Sequence, residues 1–336
     1  MSTASTPTTF VCCVESGGLE AQTVRMIESL RNWGGQFSQA PFFAVTPRFS
    51  PPLSHKTLAA FERLNVEYLR FHANSRYAWK GFLNKPYALA AVEGRATTEA
   101  IAWLDSDLLF LSEPDQLALQ AGEDILACAS ECKGIGTTGP DDPLDSYWGE
   151  VCKIVGIDLD ELPWITVEPE GERIRLYWNS GVFVYRRSTG FATHLLDATL
   201  RVFDARLVAQ GTNEYLRRRN LTQHILGMAA LKQGMAWRSL PLSHHYNLSS
   251  ATYDSWQQLE LLQAARILHY HDAMWPAYWD EFMQCLKVTH PSVADWLAPL
   301  GPLKNLASPH WRVVGKLLQQ VRSQQEIQYL NSCLAV

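Results

Sequence analysis

Residues 1–125 repeat one pattern, a short apolar run followed by a longer stretch in which apolar side chains recur every three or four positions. The run TTFVCCV (8–14) predicts a strand. In LEAQTVRMIESLRNWGG (19–35), Leu19, Met26, Ile27, Leu30 and Trp33 fall near one helical face, and Gly34 and Gly35 supply the stop. PFFAVTP (41–47) predicts a second strand, SHKTLAAFERLN (54–65) a helix and VEYLRF (66–71) a third strand. A loop of aromatic and basic residues (72–83) leads into NKPYALAAVEG (84–94), a helix with Asn84 expected at its cap and Pro86 in its first turn. AIAWL (100–104) is a fourth strand and ends at Asp105 and Asp107. Strands alternating with helices imply an α/β fold with a mainly parallel sheet.

The second half is less regular. DILACAS (124–130) predicts a strand, and IRLYWNSGVFVYRR (174–187) a strand interrupted at Asn179, Ser180 and Gly181. Residues 213–234 have a helical pattern, RILHYHDAMWP (266–276) a strand running into a loop, and 277–336 a mostly helical one. The stretch 310–330 predicts an amphipathic helix that packs on the core, with dimerisation or membrane contact as its other uses.

Composition narrows the partners more than the fold. With 47% apolar and 19% charged residues the chain is globular, and its net charge of −5 speaks against a nucleic-acid partner. No run reaches the roughly 18 apolar residues of a membrane span, so no transmembrane segment is expected. The opening MSTASTPTTF lacks the charged and apolar parts of a signal peptide, and the seven cysteines show no paired C-x-x-C framework. Both predict a cytoplasmic protein with reduced thiols. Cys128 and Cys132 could begin a zinc site, but no second pair follows at the required spacing. Twelve tryptophans are mostly core material, although sugar-binding clefts also use aromatic faces.

Three constellations carry chemistry. Asp105 and Asp107 repel each other behind a buried strand, and a divalent cation, Mg²⁺ or Mn²⁺, would compensate them. Phosphoryl transfer through an aspartyl phosphate would place such a pair on the first strand, with Thr or Val two residues on. Here it closes the fourth strand and position 109 is Leu. In WNSGV, Asn179 both donates and accepts, and Gly181 permits close approach of a ligand, unless the segment is merely a bulged turn. His269 and His271 alternate along a strand end and so point the same way, and an imidazole joining two carboxylates favours Mn²⁺.

In this order the motifs resemble the metal-dependent GT-A glycosyltransferases, most closely the retaining family eight type that includes glycogenin-like and galactosyltransferase-like enzymes. That family carries a nucleotide-contacting loop after the first strand, a Lys opening the helix before the metal strand, D-x-D, N-x-G, D-Q-D and a terminal H-x-x-G-x-x-K-P-W. Here FVCCVESGG, Lys85, Asp105 with Asp107, and Asn179 to Gly181 hold the first four places. TQH (222–224) keeps only Gln223 of D-Q-D, and HYHDAMW keeps the His and the Trp, with Met274 in place of the diphosphate-holding Lys. The resemblance spans roughly residues 8–276.

It implies a GT-A fold with a nucleotide-sugar-binding half (1–125), an acceptor-binding half (126–276) and a helical C-terminal extension (277–336). It further implies a UDP-sugar donor, an unidentified acceptor, and Mn²⁺ or Mg²⁺ held by Asp105, Asp107 and His269, with His271 as the alternative. Glu15, Ser16, Gly17 and Ser106 would hold the nucleotide, Lys85 the sugar or diphosphate, and Asn179 and Gln223 the reacting sugar. Arg76, Lys80 or one of Arg217, Arg218 and Arg219 would replace the missing Lys. No acid after the N-S-G segment stands out as a base, Glu214 and Asp272 being the candidates, which favours retention. The rivals are a nucleotidyltransferase, which needs a basic Gly-rich loop that CVESGG is not, and a noncatalytic sugar-binding relative.

Overall fold

The apolar runs near the N-terminus become the middle of one sheet. Strands β1 (Thr8–Cys13), β2 (Phe42–Thr46) and β4 (Ala100–Leu104) are buried along almost their whole length. Continuous burial without alternation is the mark of strands covered on both faces. In contrast, β3 (Val66–Arg70) mixes half-buried and exposed positions because it lies at the sheet edge. The computed structural model describes residues 6–168, 171–210, 223–248, 256 and 258–336.

Chain order continues with β5 (Leu108–Phe110), β6 (Ile125–Ala129), a hairpin of β7 (Trp164–Thr166) and β8 (Arg173–Arg175), then β9 (Trp178–Arg186) and β10 (Leu207–Val208). It closes with β11 (Trp237–Leu240), β12 (Tyr246–Asn247), β13 (Ile267–His269) and β14 (Leu334–Ala335). The seven-stranded sheet has the order β11-β6-β9-β4-β1-β2-β3. All its strands are parallel except β9, which is antiparallel to β4 and β6. The α/β, mainly parallel expectation is therefore met. One consequence matters for the site: the amino end of β9 lies on the same edge as the carboxyl ends of the other strands.

Helices cover both faces. On one side α1 (Gly18–Trp33) and α2 (His55–Arg63) bury Met26, Ile27, Leu30 and Phe61 against the sheet. On the other, α3 (Asn84–Glu93), α4 (Asp145–Val155) and α5 (Phe191–Ala205) bury Leu89, Val92, Trp148 and Phe191. A separate core gathers Leu109, Leu268, Phe282 and Leu297 under the helices that follow β13.

Several local expectations change. Leu19 is 39% exposed and lines the cleft described below, so the apolar stripe of α1 starts later. Asn84 does not cap α3. It is the first helical residue after the turn Gly81–Leu83, and its amide donates to Glu15 Oε1 at 2.7 Å, a partner no local pattern reveals. β9 continues as a strand through Asn179–Gly181, but its pairing with β6 shifts there: Ala127 faces Phe183 and Ala129 faces Trp178, so four residues of β9 stand opposite one of β6 and the bulge lies where the N-S-G segment suggested it. Of the helix expected over 213–234, Ile225–Lys232 is helical, while 211–222 lie outside the described residues.

The C-terminal helix, Pro309–Asn331, is attached through its second half, by Arg322, Glu326 and Tyr329. Val313, Leu317, Val321 and Ile327 are exposed and only Tyr329 is buried. Tyr329 enters a cluster with Tyr77, Trp79 and Phe203 and donates to the Phe203 carbonyl at 2.8 Å. Beyond it, β14 pairs in parallel with β10. All seven cysteines are free thiols. Among the described residues no helix is long and apolar enough to cross a membrane.

Because Tyr329 is the one buried side chain of so long a helix, Tyr329→Ala is expected to lower the unfolding free energy by about 3 kcal/mol, within the range for deleting a buried aromatic group. It should also speed proteolytic cleavage between residues 309 and 331. Urea denaturation and timed proteolysis check this, and an unchanged cleavage pattern would contradict the anchoring role.

Candidate functional site

The sheet edge places Asp105 where β4 stops. Its backbone N–H still bonds the Gly181 carbonyl of β9 at 2.9 Å, so the turn after the strand is held on both sides. Asp105 Oδ1 accepts the Trp103 indole N–H at 2.6 Å and stands 3.1 Å from Lys85 Nζ. Lys85 also donates to the Ser180 carbonyl at 2.6 Å and to its hydroxyl at 2.9 Å, tying the start of α3 to β4 and β9. Ser106 spends its hydroxyl on the Cys13 carbonyl, 2.7 Å away. The repulsion between the two acids is thus relieved first by geometry: each faces its own partner.

Asp107 faces imidazoles. In the small sheet β12-β13-β5, β13 runs antiparallel to β5 with His269 opposite Leu108, which sets His269 Nε2 3.2 Å from Asp107 Oδ1. His271 Nδ1 lies 3.6 Å from Oδ2. The two histidines converge, but not by strand alternation. The strand ends at His269, and His271 has φ 48°, a left-handed turn that stacks its ring on His269 with centroids 3.9 Å apart. A non-glycine residue held there costs roughly 1 kcal/mol, which the surrounding contacts must offset.

The electrostatics follow from this packing. Burial would raise the Asp107 carboxyl, but the charge and hydrogen bond of His269, with His271 behind it, hold it well below the usual carboxylate range. Burial likewise works to lower His269, yet Asp107, helped by Asp105 and Glu131, raises it. His245, packed 4.7 Å from His269, is pushed well below its ordinary value by burial and then by the two neighbouring histidines.

Asp107, His269 and His271 offer ligand atoms that all lie within 4.8 Å of one another. One carboxylate and two imidazoles suit Mn²⁺ or another transition ion better than Mg²⁺. The outer contacts agree with that donor set. His271 Nε2 donates to the Asn247 amide oxygen, leaving the Nδ1 lone pair toward Asp107, and Asn247 in turn donates to Glu131 Oε1. Asp105 stands beside this set, engaged by Lys85.

Glu131 was not legible as a site residue. It follows the carboxyl end of β6 as Asp105 follows β4, and that position in the sheet is the signal that could have found it. Its other oxygen accepts from Asn179 Nδ2 at 3.0 Å. Asp105, Asp107, His269 and His271 line one cleft of about 740 Å³ with Lys85, Asn179, Gln223, Glu131, Ser106 and Glu15. That volume falls within the roughly 300–1,000 Å³ of small-molecule sites.

Other expected residues fare differently. Glu15 lines the cleft but is clamped by Arg48, whose Nη2 donates to Oε2 at 2.8 Å. Ser16 and Gly17 are not among the lining residues, and Gly17 faces Asn305. Arg76 pairs with Asp204 at 2.8 Å and is not a lining residue, whereas Lys80 lines the cleft and pairs with Glu326 at 3.0 Å. Met274 is fully buried in the C-terminal core and does not line the cleft. Asp272 does not line the cleft, and Glu214, Arg217, Arg218 and Arg219 lie outside the described residues.

Gly181 is required by the packing of the protein itself. A Cβ there would overlap His245 Nε2 and crowd the His269 ring at 3.2 Å. Both imidazoles are buried and have no room to retreat. Gly181→Ala should therefore displace His269, destabilise the fold by about 1–3 kcal/mol as overpacked cores do, and weaken Mn²⁺ binding measured by calorimetry. Wild-type Mn²⁺ affinity in this variant would refute the proposed support.

A family model described as the Rhodobacterales glycosyltransferase domain matches residues 10–226. No curated protein matches the chain. Among solved structures, the apo form of the bifunctional glycosyltransferase WbbM is similar at 12% identity and TM-score 0.47, over 86% of this chain and 51% of that one. The apo glycosyltransferase GlyE of Streptococcus pneumoniae is similar at 13% identity and TM-score 0.49, over 89% and 65%. The galactosyltransferase LgtC in complex with donor and acceptor sugar analogues is similar at 11% identity and TM-score 0.45, over 84% and 96%. The chain thus spans about half of WbbM and just under two thirds of GlyE.

Proposed function

The chain belongs to the Rhodobacterales glycosyltransferase domain family, and on that premise we propose that it moves a sugar from a nucleoside diphosphate sugar, UDP in the first place, to an acceptor. The observation that carries the metal-dependent form of this reading is the Asp107, His269 and His271 donor set, which opens into the same cleft as Lys85 and Glu131. Mn²⁺, when bound there with Asp105 alongside, would supply Lewis acidity for the charge that collects on the departing diphosphate.

In this proposal the chain's own groups do the rest. Lys85, fixed by Asp105 and Ser180, presents a second positive charge to the diphosphate. Asn179, Glu131 and Asn247 form an array of amides and a carboxylate suited to orienting sugar hydroxyls. Both Glu131 oxygens already accept amide hydrogens, so it serves better as a positioning group than as a base. With Gln223 at the reacting carbon, retention in the manner of the family eight enzymes is the outcome we favour. Residues 1–125 would bind the nucleotide sugar, 126–276 the acceptor, and seven free thiols suit a cytoplasmic setting.

Thermal-shift measurements with UDP- and GDP-sugars, with and without Mn²⁺, test the reading because a ligand that binds the native state raises its melting temperature. UDP-sugar with Mn²⁺ should give the largest shift. Asp107→Asn and His269→Ala should abolish the Mn²⁺-dependent part and slow UDP-sugar hydrolysis by about 100-fold or more. A wild-type chain that binds nucleotide sugar with Mn²⁺ but turns none over would instead be a noncatalytic relative.

A further inference from the structure

The cleft has two chemically different ends on either side of β4. Toward β9 and β6 it presents the amides and carboxylate of Asn179, Asn247 and Glu131. Toward β1 and β2 it presents Phe82, Trp79 and Glu326 beside Lys80. Phe82 is the anomaly. It is 45% exposed, whereas Leu83 beside it is fully buried on the same turn. A large apolar side chain left open inside a cleft is a binding signal, unlike one scattered on a convex surface.

Glu326 is the second anomaly, since it reaches the cleft from the last helix of the chain. Its partner Lys80 has a side chain only 5% exposed and stands 5.5 Å from the Phe82 ring centroid. The helix around it is pinned on neighbouring turns, by Arg322 donating to the Phe49 carbonyl at 2.6 Å and by Tyr329 in its aromatic cluster. A carboxylate fixed in this way suits vicinal hydroxyls, as acidic side chains bind ribose in other α/β sheets. Two strand spacings, about 10 Å, separate the end of β4 from the end of β2, after which Arg48 donates to the Ala78 carbonyl at 2.6 Å and holds the loop that carries Lys80 and Phe82.

We propose that Phe82 and Glu326 form the nucleoside subsite of the cleft: the base stacks on Phe82, the ribose hydroxyls donate to Glu326, and Lys80 positions that carboxylate. This rests on the nucleotide-sugar reading and assigns the C-terminal helix a part in donor recognition. An amide and carboxylate array at the opposite end leaves the sugar to β9 and β6.

Calorimetry with Mn²⁺ and UDP, pyrophosphate or 2′,3′-dideoxy-UDP tests it, with melting temperatures as the control for folding. Phe82→Ala should weaken UDP by about 10-fold or more, the scale of a lost base–aromatic stack, while Phe82→Trp retains it and pyrophosphate affinity stays at the wild-type value. Glu326→Gln should weaken UDP as well, yet leave the dideoxy nucleotide unaffected. If wild type binds UDP and a variant binds it equally well, that residue is not part of the subsite. If wild type with Mn²⁺ binds none of UDP, GDP, CDP and ADP, the nucleotide-sugar reading fails and this inference with it.

Discussion

The pairing of β5 with β13, in which His269 lies opposite Leu108, joins a histidine-bearing strand to an acid-bearing turn more than 150 residues earlier in the chain. Everything the cleft offers to a cation depends on that register. A slip of one residue would turn His269 to the other face and leave the half-buried Asp107 without its imidazole partner. The pairing is itself supported from both sides. Leu109 and Leu268 carry it into the C-terminal core, and Gly181 leaves the space into which His245 and His269 pack. The proposed metal site and fold stability therefore share the same few backbone contacts.

Around this pairing the cleft solves a problem of charge. Asp105, Asp107, Glu15 and Glu131 gather at one edge because the strands that carry them end there, and unpaired they would repel. Each has a different neighbour: Lys85 for Asp105, histidines for Asp107, Arg48 for Glu15, and two asparagine amides for Glu131. The partners come from α3, β9 and β12, from β13 and the turn after it, and from the segment after β2, so the edge is assembled from both halves of the chain. Only Asp107 is left with imidazoles, whose second nitrogens and lone pairs let protein contacts and a cation be served at once.

The C-terminal helix adds a wall that the sheet alone would lack. Most of its surface faces outward, and its attachment is concentrated in Tyr329, Arg322 and Glu326. Local anchoring of this kind places a few side chains accurately at the mouth of a cleft without committing a whole helix face to the core. It also links the aromatic loop 72–83, which carries Tyr77, Trp79, Lys80 and Phe82, to the end of the chain.

Amino-acid order alone set the sheet-forming runs, because an unbroken apolar stretch such as AIAWL is stable only when both faces are covered. It also determined that Asp105 and Asp107 would stand at a strand's carboxyl end, since periodicity locates where a strand stops. Asn179 and the two histidines could be singled out by type and spacing, and Lys85 through the family resemblance. What those groups do to one another follows from long-range packing. Asn84 leaves its capping role for Glu15, Gly181 makes room for imidazoles, and His271 reaches Asp107 through a left-handed turn instead of strand alternation. Glu131, Phe82 and Glu326 carry no local signature at all. Their significance arises from long-range contacts, and a one-dimensional pattern records only neighbours along the chain, whereas register and packing choose neighbours in space.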